Sequence, residues 1–250
     1  MAFDVSSYPP LPKRPGLFVT GTDTGVGKTL IAGAIARCLR QAGVAVEVFK
    51  PAASGCRSVD GQLVSDDGEF LAACAAGNRR PDEIVPLRFA PALAPNVAGA
   101  TPADLNVVFA AYTRLAEHAQ AVVVEGVGGL LCPITDDFWV IHLARLLQLP
   151  LVIVARAGLG TINHTLLTLH AARSAGLPIA GVILNRHGCC SDDPSLATNA
   201  AQIAARGNVP ILAVLDNAPD SDLSSRRLGP AITNALSNLD WQALAGPGLA

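Results

Sequence analysis

Two rhythms of hydrophobic and polar positions alternate along this chain. Short, almost wholly apolar runs over 17–20, 44–49, 121–124, 151–155, 179–184 and 211–215 read as strands buried on both faces. Between them lie stretches in which Ala and Leu recur at helical spacing. The first follows directly on Lys28 and Thr29 as LIAGAIARCLRQAG; others run over 68–77, from Thr101 and Pro102 to about 118, and over 139–147, 165–175, 194–206 and 224–236. Ser65, Asp66 and Asp67 stand before the second of these and predict a helix N-cap. The α/β rhythm with short turns predicts a single doubly wound, mostly parallel sheet flanked by helices, as in P-loop NTPases. A Pro- and Ala-rich stretch over 78–101 is the longest irregular segment expected, and a functional cover is its predicted use. Residues 1–15 are expected to be a disordered leader, 16–240 the domain, and 241–250 a tail.

The polar residues gather where those strands end. Strand, glycine-rich turn, Lys-Thr and helix occur in that order over 17–41, the context of a phosphate-binding loop. First-turn N–H groups of a helix lack partners and attract an anion, and glycines let the backbone curl around it. Gly25, Val26, Gly27, Lys28 and Thr29 are therefore the predicted nucleotide-binding residues. The lysine brings a point charge to the β- and γ-phosphates, and the threonine hydroxyl can join a Mg²⁺ shell. In the common pattern G-x-x-x-x-G-K-[ST] the first glycine belongs at position 22; here that residue is Thr22, and the glycine sits one place early, at Gly21. Lys50 and Ser54 follow the second strand, on the edge where open α/β sheets bind ligands. Glu125 ends a wholly apolar strand beside Gly126, Gly128 and Gly129, and a buried acid there is costly unless it is paired or holds a metal. Gly128 lets a ligand approach the backbone. Either Asp66 or Asp67 suits a hard cation, the other serving the helix cap.

Composition narrows the class. Of 250 residues, 50% are hydrophobic and 15% charged, enough for a large core, and the net charge of −2 with no Lys/Arg run argues against a nucleic-acid partner. No apolar stretch approaches the roughly 18 residues of a membrane span, and MAFDVSSYPPLPKRPG lacks the features of a secretory signal. Cysteines at 38, 56, 74, 132, 189 and 190 form no C-x-x-C pair, so reduced thiols in a cytoplasmic protein are expected, with Cys189 and Cys190 the one pair placed to oxidise.

Taken together, VTGTDTGVGKT (19–29), KPAASG (50–55), VEGVGGLLCPITD (124–136) and GLGTINHTLLT (158–168) resemble the dethiobiotin synthetase family in content and order. The early glycine of the phosphate loop matches that family's own variant. The resemblance implies closure of a ureido ring on 7,8-diaminopelargonate with CO₂ (or bicarbonate as its source), ATP and Mg²⁺, through a carbamate and a carbamic-phosphoric anhydride. It implies that Lys28 and Lys50 stabilise the γ-phosphate and carbamate, that Thr24 and Ser54 hold the carbamate end or a phosphate, and that Thr29, Glu125 and an early aspartate bind Mg²⁺. Asp67 is favoured over Asp66 because Leu71 falls four residues on, as in the family's helix. Asn185 matches the residue that reads adenine. The family is a homodimer with its substrate across the interface, and Gly160, Thr161, Ile162 and Asn163 match the loop for the substrate's distal carboxylate. Read without the family, Asn163 is a helix N-cap.

The chain departs from the family at Gly25, where some members carry an acid, at Asn96, where a histidine often stands, and over 213–216, which lacks the usual Gly and Pro. An amidating synthetase of related fold usually adds a glutaminase domain, and the short stretch after 240 is not expected to supply one. A partitioning ATPase would carry a lysine where this loop has Asp23.

Overall fold

Backbone pairing between apolar runs dominates the computed structural model, which describes residues 3–185, 192–247 and 249. Six strands, β1 (Gly16–Gly21), β2 (Val46–Phe49), β3 (Ala121–Glu125), β4 (Leu151–Arg156), β5 (Ile179–Asn185) and β6 (Ile211–Leu215), form one sheet in the order β6-β5-β4-β1-β3-β2, every pair parallel. Side chains alternate between two cores. Phe18, Val122, Val124 and Ile153 face one, with Tyr112, Phe138 and Leu169. Leu17, Val19, Val123 and Val152 face the other, with Ile31, Ile35 and Phe70. This double burial is why the strands read as unbroken apolar runs rather than as alternating ones.

Helices α1 (Lys28–Gln41) and α2 (Asp66–Ala75) cover one face; α3 (Leu105–His118), α4 (Val140–Leu147), α5 (Thr161–Ser174) and α6 (Asn199–Gly207) cover the other. The α7 helix (Pro230–Ser237) returns to the α1 side. Ser65 caps α2 as expected, accepting from the Gly68 N–H at 3.1 Å. Four expected helix starts move. α3 begins at Leu105 rather than near Thr101, because Asp104 supplies the cap by accepting from Asn106 N–H. α5 begins at Thr161, earlier than 165, directly after Gly160 at φ +91°. Pro194 starts only a 3₁₀ turn (Pro194–Ala197) before α6. α7 starts at Pro230, since the chain from 222 to 227 folds into a tight turn closed by a bridge between Asp222 and Arg227. The segment over 78–101 is less irregular than expected: Leu87–Phe89 pairs with Ala52–Ser54, between single helical turns at Pro81–Ile84 and Pro95–Ala98.

Both ends of the chain depart from expectation. Over residues 3–15 the segment is not a free leader: Tyr8 packs edge-on to Phe138 with centroids 4.8 Å apart, Leu11 is buried, and Arg14 Nε donates to the Ala116 carbonyl at 2.7 Å. Its apolar residues, spaced between prolines, carried no periodic signal. The last segment is likewise part of the domain, because Trp241 opens a short helix (Trp241–Leu244), is buried, and donates its indole N–H to Leu236 O at 2.8 Å. Cys189 and Cys190 lie outside the described residues; Cys38, Cys56, Cys74 and Cys132 are free thiols. Among the described residues no helix is long and apolar enough to cross a membrane.

The same packing makes one stability prediction. His142 is buried between Phe3, Phe138 and Trp139, and its Nδ1 accepts the Trp139 backbone N–H at 2.8 Å, which requires the neutral ring. Burial, reinforced by Arg145, pushes its pKa below the ordinary histidine value. The unfolded chain therefore takes up a proton at higher pH than the folded one, and this part of the stability, full above about pH 6.5, is lost as pH falls. The urea midpoint is expected to drop between pH 7 and 5.5 more steeply in the wild type than in His142→Asn. Parallel slopes would remove His142 as the source.

Candidate functional site

The carboxyl ends of β1, β2 and β3 lie side by side in the sheet, which is what gathers polar residues from distant parts of the sequence. β1 leads into the glycine-rich turn and α1. Gly25 and Gly27 take left-handed conformations (φ +74° and +97°), and a Cβ on Gly27 would run into the Asn185 amide. Asn185, buried at the end of β5, donates from Nδ2 to the Val26 carbonyl at 3.0 Å, tying the loop to the far side of the sheet. α1 opens without a side-chain cap, so its first-turn N–H groups face the loop's concavity.

Lys28, Thr29, Lys50 and Glu125 are all buried, and Asp67 joins them from the first turn of α2. The Lys50 ammonium sits between two carboxylates, 2.6 Å from Glu125 Oε1 and 2.8 Å from Asp67 Oδ2. Thr29 donates its hydroxyl to the same Glu125 Oε1 at 2.8 Å. Lys28 Nζ instead donates to the Asp23 carbonyl within the loop at 2.9 Å. Burial works against the Lys50 charge, but Glu125 and Asp67 outweigh it and raise its pKa, so the ammonium is firmly protonated. Burial alone would raise the Asp67 carboxyl; Lys50, Thr29 and Lys28 more than offset that, and it lies below the usual carboxylate range. Glu125 is raised, first by its burial and then by Asp67, with Lys50 opposing. Burial lowers Lys28, with the nearby acids opposing and Lys50 assisting.

Among the described residues no three His, Cys, Asp or Glu side chains gather as a metal cage. Mg²⁺ does not need one, because it keeps water and phosphate oxygens and takes one or two carboxylates from the protein. The donor set here fits that habit. Glu125 Oε2 is buried with no hydrogen-bond partner, an acceptor left over after Oε1 has taken two donors. With the Thr29 hydroxyl and Asp67 it offers hard oxygens around a position that a cationic group, the Lys50 ammonium, already favours.

The two aspartates separate. Asp67, the favoured aspartate, faces Lys50, whereas Asp66 turns outward to Arg57 (2.7 Å) in an exposed pair. Thr24 lies exposed on the loop, its Oγ1 3.9 Å from where a Cβ on Gly128 would stand, and Gly128 itself is left-handed at φ +58°. Ser54 ends the short strand after Lys50 and is half-buried. Gly160, Thr161, Ile162 and Asn163 lie past the end of β4. Asn163 is not an N-cap but stands inside the first turn of α5, which Gly160 opens without a side-chain cap. Asn96 donates to Asp136 Oδ1 at 3.1 Å, fastening the 78–101 segment to the loop after Gly129.

A family model described as an AAA domain matches residues 15–225. An ATP-dependent dethiobiotin synthetase BioD of Anaeromyxobacter dehalogenans (strain 2CP-C) is 48% identical over 221 residues, covering 87% of this chain and 96% of the relative. The chain belongs to the ATP-dependent dethiobiotin synthetase family. A Bacillus subtilis (strain 168) synthetase of the same name is 40% identical, covering 80% of this chain and 86% of its own. Among solved structures, a ParA family ATPase from Chlorobium tepidum aligns with a TM-score of 0.55 at 16% identity over 92% of this chain and 98% of its own, a likeness of fold alone. Within this synthetase chain, Asn199 and Asp193 hold the loop before α5 by side-chain hydrogen bonds, yet neither was singled out in the sequence. Both sit in an ordinary helix-start context, and nothing local marks a partner some 40 residues upstream.

Proposed function

We propose that the protein closes the ureido ring of 7,8-diaminopelargonate with CO₂ and ATP, giving dethiobiotin, ADP and phosphate. The observation that carries this reading is the buried Lys50 ammonium held between Glu125 and Asp67 beside the phosphate loop, in a chain 48% identical to a named dethiobiotin synthetase. One amine of the substrate adds to CO₂ and loses a proton, giving a carbamate. A carbamate oxygen attacks the γ-phosphorus, the bond to the bridging oxygen breaks, and ADP leaves with that electron pair. The second amine then attacks the carbonyl carbon of the mixed anhydride, closing the ring and expelling phosphate.

Such a sequence needs positioning and charge neutralisation more than covalent help from the protein. The glycine loop and the start of α1 cradle the phosphates. Lys28 and Lys50 offset the charge on the γ-phosphate and the attacking carbamate, while Thr24 and Ser54 orient the carbamate end. Thr29, Asp67 and Glu125 would hold Mg²⁺, which when bound draws charge from the phosphate oxygens. Asn185 contributes to the nucleobase side. Substrate placement across a homodimer, with its distal carboxylate at Gly160–Asn163, is supported by two apolar side chains left in water, Leu159 (84% exposed) directly before that turn and Leu167 (60%) further along α5. The free thiols suit a cytoplasmic enzyme.

The test is ADP release with Mg-ATP, bicarbonate and the diamine, each omitted in turn. Release that demands both bicarbonate and diamine is expected. Release independent of the diamine, with nucleotide-dependent dimerisation and no small-molecule product, would replace this reading with that of an assembly ATPase.

A further inference from the structure

The loop between β4 and α5 is held from outside by residues that the reaction scheme does not use. Asn199, the first residue of α6, is 3% exposed. Its amide nitrogen donates to the carbonyls of Ala157 (2.7 Å) and Gly158 (3.2 Å) and lies 3.0 Å from Ser195 Oγ. Asp193 adds a second fastening, its Oδ2 accepting the Leu159 N–H at 2.8 Å while Oδ1 accepts from Ser195 N–H at 2.9 Å. The Ala157 N–H donates to Asn185 O at 2.9 Å, so three consecutive residues, Ala157 to Leu159, are bonded away from the turn that follows. That turn begins with Gly160 in the left-handed region and carries no side-chain cap.

A helix start of this kind is oriented only as well as the loop feeding it. α6 is the element that touches α5 and this loop together, through Asn199 at its tip and Ile203 and Gly207 packed beneath, Gly207 being close enough that a Cβ would press on Leu169. An asparagine is suited to the task because one NH₂ group serves two adjacent carbonyls. Aspartate would set a carboxylate against them, and alanine would leave two buried acceptors without a donor.

We propose that Asn199 is a positioning residue for the substrate's distal carboxylate: by fixing the Ala157 and Gly158 carbonyls it aims the first-turn N–H groups of α5 at that group. The proposal rests on the substrate assignment above. It concerns a residue bonded to loop carbonyls and Ser195 rather than one assigned to ATP or the reacting amines, and so it separates tail binding from chemistry.

The test compares two substrates in wild type and Asn199→Asp: the diamino acid, and the vicinal diamine of the same carbon chain ending in a methyl group. In the wild type the diamino acid is expected to have the lower KM. In Asn199→Asp the KM for the diamino acid should rise about tenfold or more, with kcat within about twofold and the KM for ATP unchanged, while kcat/KM for the methyl-ended diamine stays level. An equal loss on both substrates, or a parallel rise in the KM for ATP, would make Asn199 merely structural and overturn the proposal, as would an unchanged KM for the diamino acid. A wild type indifferent to the carboxylate would overturn the tail-binding assignment itself, and a wild type that ignores both diamines would overturn the substrate reading; the three failures are thus distinct. If the aspartate variant does not fold, Asn199→Ser, which keeps one donor, carries the same comparison with a smaller expected rise.

Discussion

Lys50→Ala is expected to cut turnover by about three orders of magnitude while ATP affinity stays within a few-fold. The reasoning begins with what Lys50 touches. It stands 4% exposed at the end of β2, and both of its partners are acids of the cluster rather than backbone groups of the phosphate loop. In the proposed site nucleotide binding would lean on the loop N–H groups, on Lys28 and on Thr29, all of which remain. In the proposed scheme the charge that develops as the carbamate oxygen meets the γ-phosphorus falls to Lys50, and removing a preorganised donor of that kind typically costs about 10²–10³ in rate; here the donor is a full charge in a buried site. A second consequence is independent of chemistry. Deleting one member of a buried ion cluster leaves Glu125 and Asp67 without the cation between them, a change that destabilises by roughly 3–5 kcal/mol where no counter-ion replaces the lost one. Added Mg²⁺ should therefore raise the melting temperature of Lys50→Ala by more than that of the wild type. Steady-state ADP release, ATP titration calorimetry and thermal melts with and without Mg²⁺ check the three parts. Turnover at the wild-type level would take Lys50 out of the transfer step altogether.

Much of this cluster is legible in the sequence because sheet edges concentrate function. Once 17–20, 44–49 and 121–124 read as parallel strands, whatever follows them lies along one edge, and Lys28, Lys50 and Glu125 come together from topology alone. Glu125 is the clearest case, since no packing argument places an acid at the end of four buried apolar residues. What pattern does not reveal is orientation. Asp66 and Asp67 are neighbours on one helical turn, and only the path of Arg57–Val59, a short strand paired antiparallel with Gln62–Val64, decides that the first turns outward and the second inward. The start of α5 was hidden for a different reason: Gly160 and the polar Thr161, Asn163 and His164 resemble a loop until tertiary packing buries Thr161 and Thr165, whose hydroxyls lie 3.4 Å apart. The segment over 3–15 owes its order to aromatic contacts with Phe109 and Phe138, more than 90 residues away, which no local window contains.

Glu125→Gln isolates the cation from the rest of the cluster. The substitution keeps shape and volume at a site 1% exposed, and the amide oxygen can still accept from Thr29 and Lys50 as Oε1 does now. What changes is the other terminal atom. Oε2, a buried acceptor with no partner, becomes an NH₂ group, a donor pointing where a hard cation needs an oxygen. The variant also removes one negative charge from a pair that balances Lys28 and Lys50, so the site becomes net more positive and less attractive to a divalent ion. The Mg²⁺ concentration for half-maximal activity is expected to rise at least tenfold and turnover at saturating Mg²⁺ to fall by about two orders of magnitude. ATP affinity measured without Mg²⁺ should not weaken, because a repelling charge has left the neighbourhood of the phosphates. The fold should hold, since every donor that now reaches Glu125 keeps an acceptor. Titrating Mg²⁺ against ADP release in the two proteins decides it: superimposable curves would mean that Glu125 serves only as counter-ion to Lys50, and the cation would then have to rest on Thr29 and Asp67 alone.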